Sequence, residues 1–524
     1  MTRVVALACT LAVIGCSSSD ELSVTLDSGD IHGLKVGTMR EFLGIPYAAP
    51  PVGDLRWRVP QPVAHWSKPL ETTAFGNQCP QKLSYSGPSY DEDCLYINVW
   101  APSGAHDLPV MVWLHGGAFI FGSGGDKWYD GKKLASQGVI LVTLNYRLGA
   151  LGFLTHPALD VEDPQYPTSG NYGIEDQIAA LQWVQRNIAG FGGDPKRVTL
   201  FGESAGGFSA CLHYVSPAGQ DLFAAAISES GFCTTTFLAP SHANSESQAL
   251  TLAEQLGCPG SDAGALACLR AVDSQTLLGA TNLPPASAMM PGGPFYQPAL
   301  LPNVLPNIDG VVIAQPVAQA FSAGQFAPRP LVLGNNADEG TLFHSSVYAM
   351  PVTDETDYEA ALAVRFGASN VPAIVAQYPI AKFSSANAAI AAVSGDAFFV
   401  CPARATARGA AAVGAPVFRY QLNHPLENPF MMGLGVFHSS DLPFVFGNDN
   451  YPLGRVGSSG AALATAMQAY WIAFAKSYDP NSSGGTPWPM YDGTDPYQTL
   501  DTTITSATGL KSDLCNFWDQ LPVN

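Results

Sequence analysis

Charge is scarce in this chain of 524 residues: Asp, Glu, Lys and Arg together make up only 13%, about half the ~25% of ordinary globular usage. Basic residues are the scarcer sign, 24 Lys and Arg against 43 Asp and Glu, which leaves a formal net charge of −19. A field of that sign repels polyanions, so nucleic-acid binding is disfavoured. Beyond the N-terminus no apolar stretch reaches the ~18 residues that suggest a transmembrane helix. No C-x-x-C pair and no Cys/His cluster with zinc spacing occurs, so no metal is expected, and no cofactor either. No internal repeat is visible. With 47% hydrophobic residues, disorder is also unlikely over most of the chain.

What is present begins at the N-terminus. Arg3 precedes an apolar run of about eleven residues from Val4, too short to span a bilayer, and residues 1–15 read as a signal peptide. The run ends at Val13-Ile14-Gly15-Cys16 before Ser17-Ser18-Ser19, which resembles the bacterial lipobox. That resemblance implies acylation of Cys16, a polar tether over 16–21 and an exported, membrane-anchored lipoprotein at the periplasm or cell surface, the alternative being plain secretion. Eight further cysteines, at 79, 94, 211, 233, 258, 268, 401 and 515, then lie in a compartment that permits disulfides. Eight cysteines allow 105 pairings, and spacing alone does not choose among them.

From Leu22 onward the pattern is that of a folded chain. Val24-Thr25-Leu26 and Ile31-His32-Gly33-Leu34 alternate around Ser28-Gly29-Asp30, as a hairpin would. Residues 110–114 (VMVWL) and 139–144 (VILVTL) are almost continuously apolar and β-branched, which fits strands covered on both faces. Ile174, Ile178, Leu181, Val184 and Ile188 recur at spacings of three and four, the period of an amphipathic helix. Short strand patterns return at 198–201, 224–227 and 331–333. This alternation predicts an α/β fold with a mostly parallel sheet. Residues 234–330 and 341–416, rich in Ala, Pro and Gly, read as helical and loop insertions, and 22–524 reads as one domain.

Two motifs carry chemistry. Gly202-Glu203-Ser204-Ala205-Gly206 follows the strand pattern at 198–201 and precedes a helix-compatible stretch, the context of a nucleophile elbow in an α/β-hydrolase fold. His115-Gly116-Gly117-Ala118-Phe119 follows the strand at 110–114 and has the form of an oxyanion loop, with Gly117, Ala118 and Ala205 as expected amide donors. This fold orders its triad as Ser, acid, His. After Ser204 the acid candidates are Asp338 and Glu339, beyond the strand at 331–333. The histidine candidates are His344, His424 and His438, of which His438 lies in a loop able to aim it, and His424 before Pro425 suits a structural role.

Longer motifs resemble those of the type-B carboxylesterases, a family that includes cholinesterases and bacterial para-nitrobenzyl esterases. They are EDCLYINVW at 92–100, NYRLGALGFL at 145–154, GNYGIEDQIAALQW at 170–183, FGGDPKRVTLFGESAGG at 191–207, NADEGTLF at 336–343 and GVFHSSDLPFVFG at 435–447. The resemblance, which runs from about residue 22 to Trp518, implies a serine carboxylic-ester hydrolase with Ser204, Glu339 and His438 as triad. It also implies Glu203 as an electrostatic contributor, disulfides Cys79–Cys94, Cys258–Cys268 and Cys401–Cys515, and a small-molecule ester substrate. Adhesion-type relatives that lost the triad are the non-enzymatic alternative, and a lipase or polyesterase of long or insoluble esters is the enzymatic one. Cys211 and Cys233 have no pairing in the resemblance and are expected as free, buried thiols. Where choline-hydrolysing members carry aromatic residues, this chain has Ser84 and Leu342, so neutral short- to medium-chain esters are the expected substrates.

Overall fold

The computed structural model describes residues 21–82, 84, 87–234, 239–281, 305–345, 351–428 and 431–521. Cys16 and the leader lie outside the described residues. Fourteen strands follow one another: β1 (Ser23–Leu26), β2 (Gly29–His32), β3 (Leu34–Val36), β4 (Met39–Pro46), β5 (Leu70–Glu71), β6 (Tyr96–Pro102), β7 (Leu108–Leu114), β8 (Ile140–Leu144), β9 (Gly193–Glu203), β10 (Ala225–Glu229), β11 (Leu331–Asn336), β12 (Val417–Leu422), β13 (Pro496–Leu500) and β14 (Thr505–Thr508). The expected N-terminal hairpin forms as β1 with β2, and β5 completes a small three-stranded sheet.

The remaining strands make one sheet of eleven in the order β14-β13-β12-β11-β10-β9-β7-β8-β6-β4-β3. Neighbours from β8 across to β13 pair in parallel, and the outer pairs at both edges are antiparallel. β8 is buried along its whole length and β7 along all but its first residue, as continuous apolar runs require when both faces of a sheet are covered. One face carries the helix Tyr172–Asn187, which buries Ile174, Ile178, Leu181 and Val184. The other carries the helix Gly457–Ser477. Large mixed sheet and helices on both faces make this the α/β-hydrolase fold.

The order of the strands positions the site. β7 lies between β8 and β9, so the chain leaves β7 towards one side and later returns on the other. Such a switch point opens a crevice at the carboxyl ends of the strands. The Gly-rich turn after β7 and the Gly202–Gly206 segment after β9 both lie there.

The two long insertions are helical as expected, with His242–Gln255, Ala263–Ala271 and Ser274–Ala280 in the first and Glu355–Phe366 in the second. The stretch Ala386–Ala412 is long and apolar enough to cross a membrane, but 78% of its most apolar window is buried in the protein. It is packed as a core element.

Three disulfides match the expectation: Cys79–Cys94, Cys258–Cys268 and Cys401–Cys515. The expectation for the other two cysteines is overturned, because Cys211 and Cys233 are joined as a fourth disulfide with their Cα atoms 5.6 Å apart. Two glycines account for the close approach. A Cβ on Gly207 would sit 2.9 Å from Gly231 Cα, and one on Gly231 would sit 2.7 Å from Gly207 carbonyl carbon. Without those side chains the helix Ala205–Val215 settles onto the segment after β10. Cys211 stands one helical turn beyond Gly207 and Cys233 two residues beyond Gly231, which brings them into bonding range.

Candidate active site

β9 ends at Glu203, the helix Ala205–Val215 begins at Ala205, and Ser204 forms the whole of the connection. Its backbone has φ 57° and ψ −120°, a conformation that L residues adopt only under strain. The strain is locked by close backbone packing. A Cβ on Gly206 would lie 1.9 Å from the Leu114 carbonyl oxygen, and one on Gly202 would lie 2.6 Å from Gly206 backbone atoms. The Ser204 amide donates to the Glu229 carbonyl at 2.9 Å. Ser204 is thereby raised on a fixed turn at the mouth of the switch point.

The expected oxyanion loop turns equally sharply. Gly117, Ala118 and Phe119 have successive φ values of 107°, 52° and 62°. At Gly117 no side chain fits, because a Cβ there would meet the Phe121 carbonyl oxygen at 2.0 Å. Ala205 is the first residue of its helix, so its amide has no intrahelical acceptor and is available to an anion.

The structure brings Glu339, and not Asp338, to a histidine. Glu339 Oε2 lies 2.7 Å from His438 Nδ1. Its Oε1 accepts from the Ser230 hydroxyl at 2.5 Å and from the Asn336 amide at 2.7 Å. Asp338 is exposed and accepts instead from the Val436 amide at 2.9 Å, so it anchors the loop that carries His438. Of the other histidines, His344 is hydrogen-bonded to Ser394 and His424 lies beside Asp501 and Ser459. Only His438 of the three adjoins both Glu339 and Glu203.

A carboxylate can only accept, so the His438 proton sits on Nδ1 and the lone pair of Nε2 is left for chemistry. Nε2 has no hydrogen-bond partner and lies 3.2 Å from Glu203 Oε1, which itself accepts from the Ser439 hydroxyl at 2.7 Å. Burial pushes the imidazole pKa down, but the carboxylates of Glu203 and Glu339 outweigh it and raise the group above its usual 6.5. Burial pushes Glu203 the other way, up to about 8, against the pull of His438. Three aromatic rings wall the imidazole: Phe399 at 4.8 Å, Phe343 at 4.9 Å and Phe232 at 5.9 Å between centroids.

Several of these residues escaped sequence reasoning. Ser230, Asn336 and Ser439 act through single hydrogen bonds that no spacing reveals. Phe399 lies where the helix loosens into a π turn over Asp396–Val400, the kind of local irregularity that clusters at functional sites. Asp441, three residues after His438, is fully buried and accepts from Asn336 Nδ2 at 3.3 Å and from the Tyr420 hydroxyl at 3.2 Å.

Comparison with known proteins places this geometry among ester hydrolases. A sequence profile of the Carboxylesterase family matches residues 20–518. A para-nitrobenzyl esterase of Bacillus subtilis is 39% identical over 482 residues, which cover 89% of this chain and 92% of that one. A fumonisin B1 esterase of Sphingopyxis macrogoltabida is 36% identical over 92% of this chain and 87% of its own length. A mouse cholinesterase is 33% identical over 96% of this chain and 87% of its own. Among solved structures, a PNB esterase superposes with a TM-score of 0.82 at 34% identity, covering 95% of this chain and 99% of that one.

Proposed function

Since the chain belongs to the carboxylesterase family and is a serine carboxylic-ester hydrolase, we propose that Ser204, Glu339 and His438 are its catalytic triad and that neutral, short- to medium-chain esters are its substrates. The observation that carries the assignment is the 2.7 Å contact between Glu339 and His438 Nδ1, which leaves Nε2 without a hydrogen bond and 3.2 Å from Glu203, the residue that precedes Ser204.

In the reaction, Nε2 takes the Ser204 proton as Oγ attacks the ester carbonyl carbon. The carbonyl oxygen becomes an oxyanion and is met by the amides of Gly117, Ala118 and Ala205. Each such donor stabilises the transition state by about 2.7–4 kcal/mol in comparable sites. Collapse expels the alkoxide, which takes the proton from Nε2, and an acyl-Ser204 ester remains. Water then attacks that ester with His438 again as base, releasing the acid and restoring Ser204. Glu339 holds the ring in one tautomer throughout and stabilises the imidazolium that forms. The ring wall of Phe232, Phe343 and Phe399 favours an apolar group next to the reacting carbonyl.

Ser204→Ala tests the reading directly. It is expected to keep the fold, to lose ester turnover by at least about a thousandfold as triad deletions do, and to lose labelling by a fluorophosphonate probe. Retained labelling in that variant sinks the assignment.

A further inference from the structure

Outside the triad, a second cluster of ionisable groups forms where two distant segments meet. Asp160 ends the short helix Pro157–Asp160, His242 is the first residue of the helix His242–Gln255, and Glu246 follows one turn later on the same face. One ligating atom from each lies within 4.8 Å of the other two. His242 Nε2 is 2.9 Å from Asp160 Oδ2, and Asp160 Oδ1 accepts from the Ser169 hydroxyl at 2.5 Å. The Glu246 carboxyl completes the group beside Asp160. Among the described residues, no Lys or Arg forms an ion pair with either carboxylate.

The proton on the imidazole is fixed from outside the cluster. Asn307 is fully buried and donates both amide hydrogens, one to the Thr155 hydroxyl at 3.1 Å and one to the Ser169 carbonyl at 3.0 Å. Its Oδ1 must therefore face His242 Nδ1, 2.8 Å away, and Nδ1 must donate. Asn307 is itself clamped by Asn171, which accepts from its backbone amide at 3.0 Å and donates to its carbonyl at 2.8 Å. A neutral His242 consequently points the lone pair of Nε2 at two carboxylates. A histidine whose far N–H is tied to a buried acceptor, with its other nitrogen converging on carboxylates, is also how proteins orient a metal ligand.

We infer that Asp160, His242 and Glu246 form a binding site for a divalent transition-metal ion of the zinc class, which links the segment before helix Tyr172–Asn187 to the inserted helix His242–Gln255. The ion's two positive charges meet the two carboxylates, and any proton on Nε2 leaves to solvent as the metal binds. One imidazole nitrogen with carboxylate oxygens suits zinc or manganese, whereas calcium takes oxygen ligands alone. The side chains of His242 and Asp160 retain 24% and 20% exposure, which leaves room for water at a remaining position. A search for Cys or His spacing passes over this set, because Asp160 lies 82 residues before His242.

Nε2 must be unprotonated to bind a metal, so proton and metal compete there and affinity rises with pH. The test is zinc titration of the metal-stripped full chain against a chromophoric chelator at two pH values one unit apart, alongside Glu246→Gln and His242→Ala. Glu246→Gln keeps the size and shape of the side chain but removes a charged ligand. One zinc per chain is expected, bound more weakly at the lower pH. Each variant is expected to weaken binding at least tenfold and to hydrolyse ester at the wild-type rate. Equal zinc affinity in wild type and Glu246→Gln, tighter calcium than zinc, or no uptake at micromolar zinc overturns the inference.

Discussion

At the scale of single residues, the position of His438 between two carboxylates decides how the enzyme responds to pH. Glu339 meets Nδ1 and Glu203 stands 3.2 Å from Nε2. Burial favours the neutral ring, and the two negative neighbours favour the imidazolium more strongly, so the folded pKa lies above 6.5. A protonated Nε2 cannot accept the Ser204 proton. kcat/KM is therefore expected to rise with pH through an acid limb centred above 6.5, with little activity below it. The Glu203 carboxyl, pushed up to about 8 by burial, titrates against the same ring, so the limb belongs to the pair. Glu203→Gln removes the negative charge beside Nε2, and its acid limb is expected at lower pH than in the wild type. A pH–rate profile of the two proteins checks this. An unmoved limb would mean that Glu203 contributes only its hydrogen bond with Ser439.

At the scale of elements, what could be read from the sequence was whatever chain-local pattern expresses. The apolar runs of β7 and β8, the helix over Tyr172–Asn187 and the elbow at Ser204 each depend on residues within a few positions of one another. The choice between Asp338 and Glu339 did not follow from local pattern, since both sit at the same strand end, and only the family resemblance implied Glu339. It follows from geometry: Glu339 turns inward to the imidazole while Asp338 turns outward to the Val436 amide. The Cys211–Cys233 pair was illegible for a related reason. It depends on a backbone contact between Gly207 and Gly231 that neither cysteine's surroundings in the sequence announce. Because this disulfide ties the elbow helix to the segment bearing Ser230 and Phe232, it stabilises the site as well as the fold. Closing a loop of 22 residues contributes about 3 kcal/mol in the chain-entropy model. The double variant Cys211→Ala/Cys233→Ala is expected to lose about that much stability in urea unfolding. Non-reducing peptide maps of the wild type should join the two cysteine peptides, and a map showing them separate would remove the bond.

At the scale of the whole molecule, the net charge of −19 and the chemistry of the pocket pull a cationic substrate in opposite directions. A strongly negative field gathers cations and speeds their encounter, and salt screens it within a Debye length of about 8 Å at physiological ionic strength. Holding a quaternary ammonium is a separate matter, because such a group donates no hydrogen bonds and is best bound against aromatic faces. Two positions where cholinesterase-like chains supply an aromatic wall are Ser84 and Leu342 here. Ser84 gives its hydroxyl to Gln78, and Leu342 packs into the apolar core. The aromatic residues that remain, Phe343, Phe399 and Phe232, are grouped around His438, where they suit the apolar part of a neutral ester. Each missing cation–π contact costs about 1–2 kcal/mol of binding when desolvated. Two such losses correspond to roughly thirty- to a thousandfold, and they act against a steering gain of roughly ten- to a thousandfold that physiological salt cuts back. Butyrylcholine is therefore expected to show a lower kcat/KM than para-nitrophenyl butyrate under the same conditions. The gap is expected to widen as salt is raised, since screening slows the arrival of the cation and leaves the neutral ester untouched. A kcat/KM for butyrylcholine above that for para-nitrophenyl butyrate at physiological salt would show that the pocket holds cations by some other wall.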